Sequence, residues 1–365
     1  MAPEFISPEY DLHVQAMVAW HFDPATGSPY WLRRAATLGF DPLTEIRGLA
    51  DLCRFPAVAD EWRSVPAADL IPRGCPGPFD VWESGGTTGA PRRVVDSRHR
   101  ARGREHLSHV LDQFGFPPVR PWIRALHDDR QVGGWLLIGP SGPHLVGTNV
   151  GRLARERGAL RYAVDLDPRW VKRLYREGRL QEARSYIAHV VEQALTVLRT
   201  QPVEVLAVTP PLLEALCANP EAYDLLQQKL KGVIWFGTSM TDESLRLMEE
   251  ELLPGVPMVG WYGNTLAGIA CQRPRTAADP FRCIFHLPGP GSIARVVEPG
   301  NPATRVGYGE EGQICIHVLH EEMFLPWHLE RDRAVRVKPE GSLVGDDVAH
   351  VAPFTGSGAA VEGVY

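Results

Sequence analysis

The chain has 365 residues, 44% of them hydrophobic and 22% charged, a composition that suits a globular protein with a sizeable core and room for two or three subdomains. A formal net charge of −6 argues against a general nucleic-acid or anionic-membrane binder. No apolar run approaches bilayer length, and Met-Ala-Pro-Glu-Phe-Ile-Ser-Pro lacks the basic start and apolar core of a signal peptide, so a cytoplasmic location without membrane attachment is expected.

Residues 1–75 alternate proline-broken polar pieces with short apolar ones. A short helix is expected between Ser28 and Leu38, and Asp41-Pro42 reads as the cap and first position of another. This region is expected to pack, with His13 and His21, around a core that comes later in the chain.

Residues 76–280 are expected to form an α/β core. Near their start Ser84, Gly85, Gly86, Thr87, Thr88 and Gly89 crowd hydroxyls and glycines together, and Ala90, Pro91, Arg92 and Arg93 follow. Amides exposed by glycines, hydroxyl donors and a nearby cation make a cradle for polyphosphate oxygens, and a polar surface turn is the plain alternative. Arg98, Arg100, Arg102 and Arg104 continue the basic run, either as a solvated helix start or as a field that draws anions inward. The helix beyond carries His106 and His109 without a third residue at metal-ligand spacing. Trp135 to Ile138 and Leu145-Val146, bounded by glycine and proline, read as buried strands of a parallel sheet.

Asp167-Pro168 is a helix start, and two helical segments are expected up to Thr200, parted near Gly178. A strand is expected over 203–208, a short helix from Thr209-Pro210-Pro211, and a strand over 232–236 that runs into Gly237, Thr238, Ser239 and Met240. Thr241 caps a further helix, and a strand from Val256 ends in Tyr262, Gly263, Asn264 and Thr265. Such βαβ alternation places helices on both faces of a mostly parallel sheet and ligands outside the strands' carboxyl ends, where 237–239 and 262–265 lie.

Residues 281–352 change texture to short strands with Gly and Pro turns, an expected small β-rich subdomain, and 353–365 are expected to be a degraded hinge or tail. Gly307 to Gly312 formally matches Gly-x-Gly-x-x-Gly, but a strand rather than a helix should follow, so a dinucleotide site is rejected. The six cysteines are scattered, and neither disulfides nor zinc are expected.

Ser84 to Gly89 with Ala90-Pro91-Arg92 resembles the phosphate loop of the adenylate-forming enzymes, the superfamily of acyl-CoA synthetases, aryl-acid adenylating domains and luciferases; Arg92 stands where lysine is usual. Tyr262-Gly263-Asn264-Thr265 resembles the family's Tyr-Gly-x-Thr-Glu, Gly309 to Ile314 its Gly-Glu-x-Gly-Glu-Ile, and Gly345-Asp346 its Thr-Gly-Asp. Gly237-Thr238-Ser239 falls where the family has a glycine turn against adenine. All occur in the family's order. The resemblance implies the large N-terminal domain of such an enzyme, with ATP or AMP as ligand. It implies that Tyr262 packs on adenine, Thr265 meets the α-phosphate, Asp346 holds the ribose hydroxyls and Arg92 clamps pyrophosphate. Leu266 stands where the family has the glutamate that helps hold magnesium, so Mg2+ is implied while its ligands stay open.

The family's C-terminal lobe is expected to be absent after the short stretch that follows Asp346, and, with no lysine beyond Lys338, the catalytic lysine that lobe brings is not expected from this chain. The proline-marked start and short length resemble the phenylacetate-CoA ligase branch, and within it truncated adenylating proteins of phenazine-antibiotic biosynthesis. The implied reaction is attack of a carboxylate on the α-phosphorus of ATP, giving acyl-AMP and pyrophosphate. Trp135, Trp235 and Trp261 point to a small aromatic carboxylic acid. Two alternatives stay open: a nucleotide- or acyl-AMP-binding pseudoenzyme serving a partner enzyme or carrier protein, and an ATP-dependent diazotase using nitrite. A homodimer is compatible with either.

Overall fold

A computed structural model describes residues 8–86, 89–97, 100–122, 132–340 and 344–354. Its strands in chain order begin with β1 (Asp80–Glu83), β2 (Arg93–Asp96), β3 (Gly134–Gly139), β4 (Leu160–Asp165), β5 (Val203–Val208), β6 (Gly232–Phe236) and β7 (Met258–Asn264). There follow β8 (Gly268–Gln272), β9 (Ile284–His286), β10 (Ser292–Val297), β11 (Glu311–His320), β12 (Met323–Val337) and β13 (Asp347–Pro353). The class is α/β, as the sequence implies, and the chain divides into two compact units.

One unit holds the residues up to Gly103, the short segment Asn264–Ala270, and His286–Ser357. Its sheet is antiparallel, in the order β10-β11-β12-β13. The N-terminal residues wrap this sheet. The helix Pro8–Phe22 buries Tyr10, Val14, Val18 and Phe22, a four-residue spacing that keeps one face inward. Ser28 caps the helix Pro29–Ala35 by accepting from the Trp31 amide, and Asp41 caps Pro42–Glu45 through the Leu43 amide, so proline at the first position sets both starts. Trp31 then donates its indole N–H to the Phe324 carbonyl at 3.0 Å, and Trp20 does the same to Glu321 at 2.9 Å. Trp31 is buried and Trp20 half-buried, and each ring meets its one donor.

The other unit holds, among the described residues, Arg104–Gly263 and Cys271–Phe285. Its strands are parallel, in the order β7-β6-β5-β3-β4. Crossover helices Leu145–Glu156, Pro168–Arg176, Leu180–Thr200, Pro210–Cys217, Pro220–Lys229 and Asp242–Leu247 connect them. β3 and β6 are buried along their whole length, as central parallel strands are when both faces are covered. Gly178, at φ +71°, separates two of these helices where a left-handed residue is needed. The expected strand at Leu145-Val146 is instead the first turn of a helix. Leu145, Val150, Leu153 and Ala154 are buried, a helical period that a two-residue apolar run does not reveal. The Gly-x-Gly-x-x-Gly match at 307–312 does lead into a strand, β11.

Candidate functional site

The glycine-rich segment is the connection of a small hairpin. β1 and β2 pair antiparallel with Glu83 opposite Arg93, and Glu83 forms an ion pair with the Arg93 Nε at 3.3 Å. The connection is closed twice at its base. The Ser84 amide donates to the Arg92 carbonyl at 2.9 Å, and the Arg92 amide donates to Ser84 Oγ at 2.8 Å. Gly86 has φ +62° and Gly89 φ +146°, and a methyl group on Gly86 would sit 3.2 Å from the Gly89 carbonyl oxygen. Glycine is therefore required at 86 by both backbone conformation and close approach. Ser84, Gly85 and Gly86 are half-buried while Gly89 and Ala90 are exposed. Thr87 and Thr88 lie outside the described residues.

Two arginines and an aspartate brace this loop from the N-terminal segment. Arg63 donates to the Ala90 carbonyl and pairs with Asp60 at 3.0 Å. Arg92 Nη2 donates to the same Asp60 oxygen at 2.7 Å. Burial pushes the Asp60 carboxyl up, but the hydrogen bonds from Arg92 and Arg63 outweigh it and hold the group below the usual carboxylate range. Arg92 is thus fixed rather than loose, and its Nε is buried without an acceptor. A buried guanidinium donor left unmet is a ready partner for an anionic oxygen.

The turn after β7 meets the loop. Thr265 Oγ1 donates to the Glu83 carbonyl at 3.3 Å, next to Ser84. Asn264 organises the turn: its Oδ1 accepts from the amides of Leu266 and Ala267 at 2.8 and 2.9 Å, a side-chain turn of the kind Asn favours. Its Nδ2 donates to Glu330 Oε1 on β12 at 2.5 Å. Burial, the largest effect, pushes the Glu330 carboxyl up, against the opposing Asn264 hydrogen bond and the fields of Arg92 and Arg331. No motif in the sequence marks Asp60, Arg63 or Glu330, whose places at this loop come only from tertiary packing.

Asp346 is used inside its own sheet. Its Oδ1 accepts from Arg336 Nε and its Oδ2 from the Val296 amide, both at 2.9 Å, and its side chain is fully buried. Both carboxylate oxygens are therefore engaged, and neither is presented to a ribose diol in this arrangement. Asp347, which competes for that role in the sequence, is equally buried and bonds His286 Nδ1 at 2.7 Å. Gly309 to Ile314 enters β11, where the Gln313 side chain donates to the Glu330 carbonyl at 2.6 Å.

In the parallel unit, Gly237 follows β6 at φ +86°, Thr238 Oγ1 is buried without a partner, and Ser239 is exposed. Tyr262 is half-buried and Gly263 exposed near the carboxyl end of β7. The Tyr262 ring lies 5.8 Å from Phe285, and Trp235 meets Phe285 edge-on at 5.9 Å. A Cβ on Gly260 would fall 2.5 Å from the Trp235 ring, so this strand yields its own side-chain space to the indole. Trp235 Nε1 is buried and without an acceptor.

No family model matches the chain, and no curated protein matches it. Among solved structures it is similar to an open conformation of 2-hydroxyisobutyryl-CoA ligase in complex with 2-HIB-AMP and CoA, with TM-score 0.58, 14% identity, and coverage of 91% of this chain and 65% of that one. The same ligase in its thioesterification state gives TM-score 0.58 and 13% identity over 95% of this chain and 68% of that one. ATP-bound MatB from Rhodopseudomonas palustris gives TM-score 0.46 and 15% identity over 75% of this chain and 47% of that one. The chain spans 65% of the length of the first of these structures, and the likeness to the ligase is one of fold.

Proposed function

We propose that this chain binds an adenine nucleotide and activates a small aromatic carboxylic acid as acyl-AMP, in specialised-metabolite biosynthesis of the phenazine-antibiotic kind. The observation that carries the reading is the hydrogen bond from Thr265 to the Glu83 carbonyl. It sets a hydroxyl-bearing turn against the first residues of a glycine loop that lies far upstream in sequence. In the reaction, a substrate carboxylate oxygen attacks the α-phosphorus, and the bond from that phosphorus to the departing pyrophosphate breaks. Such transfers depend mainly on positioning and charge neutralisation. Ser84, Gly85, Gly86, Thr87, Thr88 and Gly89 would supply donors to phosphate oxygens, Arg92 a fixed cation, and Thr265, on exchanging its bond to the Glu83 carbonyl, a hydroxyl at the reacting phosphate.

Tyr262 with Gly263 and Asn264, and the turn 237–239, carry the flat-ring part of the reading. Tyr262 offers a half-buried ring and Gly263 an unhindered backbone. The unmet donors of Trp235 and Thr238 suit a ring ligand that bears acceptors. Asp346, buried in its sheet, would serve a ribose through the lone pairs its bonds to Arg336 and Val296 leave over, once the packing around it opens. Mg2+ bound with the nucleotide would supply charge neutralisation at the phosphates. ATP–pyrophosphate exchange with a panel of aromatic acids tests the reading: acid-dependent exchange supports it, and silence with every acid despite measurable AMP binding refutes the catalytic half.

A second reading has its own support. Leu266, where the glutamate that helps hold magnesium would stand, is 2% exposed and apolar, which favours a protein that holds a nucleotide or acyl-AMP for a partner enzyme or carrier protein. Calorimetric AMP binding with no turnover until a second protein is added would select it.

A further inference from the structure

We infer that the outer edge of β4 pairs with the same edge of a second copy of this chain, antiparallel about a two-fold axis at Ala163; this stands apart from the nucleotide reading above. Among the described residues β4 ends its sheet and pairs with β3 alone. The Leu160 amide donates to the Gly133 carbonyl at 3.0 Å. Residues 160, 162 and 164 therefore turn their backbone groups toward β3, and Arg161, Ala163 and Asp165 turn theirs away. Among the described residues no hydrogen bond reaches those three outward amides. All three residues are exposed, as is Leu160 at 41%. Edge strands are commonly blunted by proline, lysine or a bulge. β4 contains no proline or lysine, and its register against β3 runs without a shift.

The strand is self-complementary about its centre. Antiparallel pairing at Ala163 sets Arg161 opposite Asp165 of the partner subunit and Asp165 opposite Arg161 of the partner subunit, with each pair on one face. On the other face it sets Tyr162 against Val164 of the partner subunit, an aromatic ring against a β-branched chain. The outward residues fall in hydrogen-bonded pairs that exchange two bonds each, about six in all. Both charges are available for the contact. Among the described residues Arg161 makes no ion pair, and its stem lies over the helix Leu145–Glu156, where a Cβ on Gly151 would fall 2.8 Å from its Cδ. Asp165 takes the Ser141 amide and hydroxyl on Oδ1 at 2.8 and 2.9 Å, which leaves Oδ2 for the partner. A contact of this kind uses the same patch on both copies and closes at two. The competing account is a solvated edge whose charges only ward off other strands; it gives no reason for opposite signs placed symmetrically about Ala163.

The test measures self-association of the full chain by sedimentation equilibrium. One strand pair is a small interface, so a Kd of roughly micromolar order is expected and the concentration series spans that range. Arg161→Asp and Asp165→Arg each place like charges opposite one another twice per dimer, and each variant alone should associate at least about tenfold more weakly. Mixed in equal amounts the two should associate again as a heterodimer, because one then carries acids at both positions and the other bases. That recovery also shows that both variants are folded. Ala163→Pro removes the central outward amide and leaves the β3 ladder intact, so it should give monomers with an unchanged far-ultraviolet circular dichroism spectrum. A wild type that stays monomeric through the series overturns the inference. So does a dimer that withstands R161D and D165R, or a mixture of the two that does not recover association.

Discussion

Thr265 Oγ1 donates to the carbonyl oxygen of Glu83, 182 residues earlier in the chain. Glu83 ends β1 and Ser84 opens the glycine loop, so this bond sets where the loop begins relative to the turn after β7. Asn264 supports it from behind through two backbone amides and Glu330. A side chain that accepts two amides and also donates can hold only one turn geometry, so Thr265 is positioned before any ligand arrives.

Thr265→Val keeps the shape and removes the hydroxyl. One lost part-buried hydrogen bond is worth about 0.5–1.5 kcal/mol, so a modest fall in stability is expected together with a larger loss of nucleotide affinity. Thr265→Ser should restore both. Thermal unfolding alongside ATP calorimetry checks it; unchanged ATP binding in the valine variant would reduce the contact to a structural one.

Gly86→Ala asks a residue at φ +62° to carry a Cβ that would sit 3.2 Å from the Gly89 carbonyl. The left-handed conformation alone costs about 1–2 kcal/mol. Gly39→Ala is the control, since Gly39 has φ +74° with nothing within 4 Å. Both should lose similar backbone stability, and only G86A should also lose phosphate binding. Equal ATP affinities in the two variants would remove the loop from the site.

Much of the architecture is legible in the sequence because local chemistry writes it. Asp41-Pro42 and Asp167-Pro168 announce helix starts that the structure keeps, and the apolar runs of β3, β5 and β6 announce buried parallel strands. Leu145-Val146 misleads because two apolar residues carry no period. The helix Pro220–Lys229 escapes because it starts three residues after another ends, although Asn219 caps it through the Ala222 amide. Within the site, the loop and the Thr265 turn are visible as motifs, and the structure brings them together. Asp60, Arg63 and Glu330 are invisible, since nothing local marks a residue whose partner lies on a distant strand. The engagement of Asp346 is hidden for the same reason. Arg336 reaches it only because β12 and β13 pair with Val337 opposite Asp347, a register that no motif encodes.

Asp346→Asn therefore tests two roles at once. The variant leaves the Arg336 guanidinium buried without its counter-charge, and breaking a buried pair from one side costs about 3–5 kcal/mol. A large fall in the urea midpoint is expected before any ligand is added. A variant with wild-type stability and a selective loss of AMP affinity would instead return Asp346 to the ribose.

Acid sensitivity follows from three buried imidazoles. His21 is 1% exposed, donates Nε2–H to the His320 carbonyl at 2.7 Å, and leaves Nδ1 buried without a partner. Burial drives its pKa down to about 4. Burial does the same to His328, to about 4, and to His317, to about 3, with the field of Arg295 second for His317. The unfolded chain protonates these rings near pH 6.5, whereas the folded chain keeps them neutral. Their contribution is therefore complete above about pH 6.5 and is lost as pH falls toward 4, at about 1.4 kcal/mol per pH unit for each ring. Glu249 and Glu330, both raised by burial, act in the opposite sense at the acid end and soften the slope. Urea unfolding at a series of pH values from 7.5 to 5 should show stability falling with acid. His21→Gln, which retains a donor for the His320 carbonyl, should flatten that fall by close to one proton. A midpoint that stays level across this range would mean that the rings find water or counter-ions in the folded chain and are not held neutral by burial.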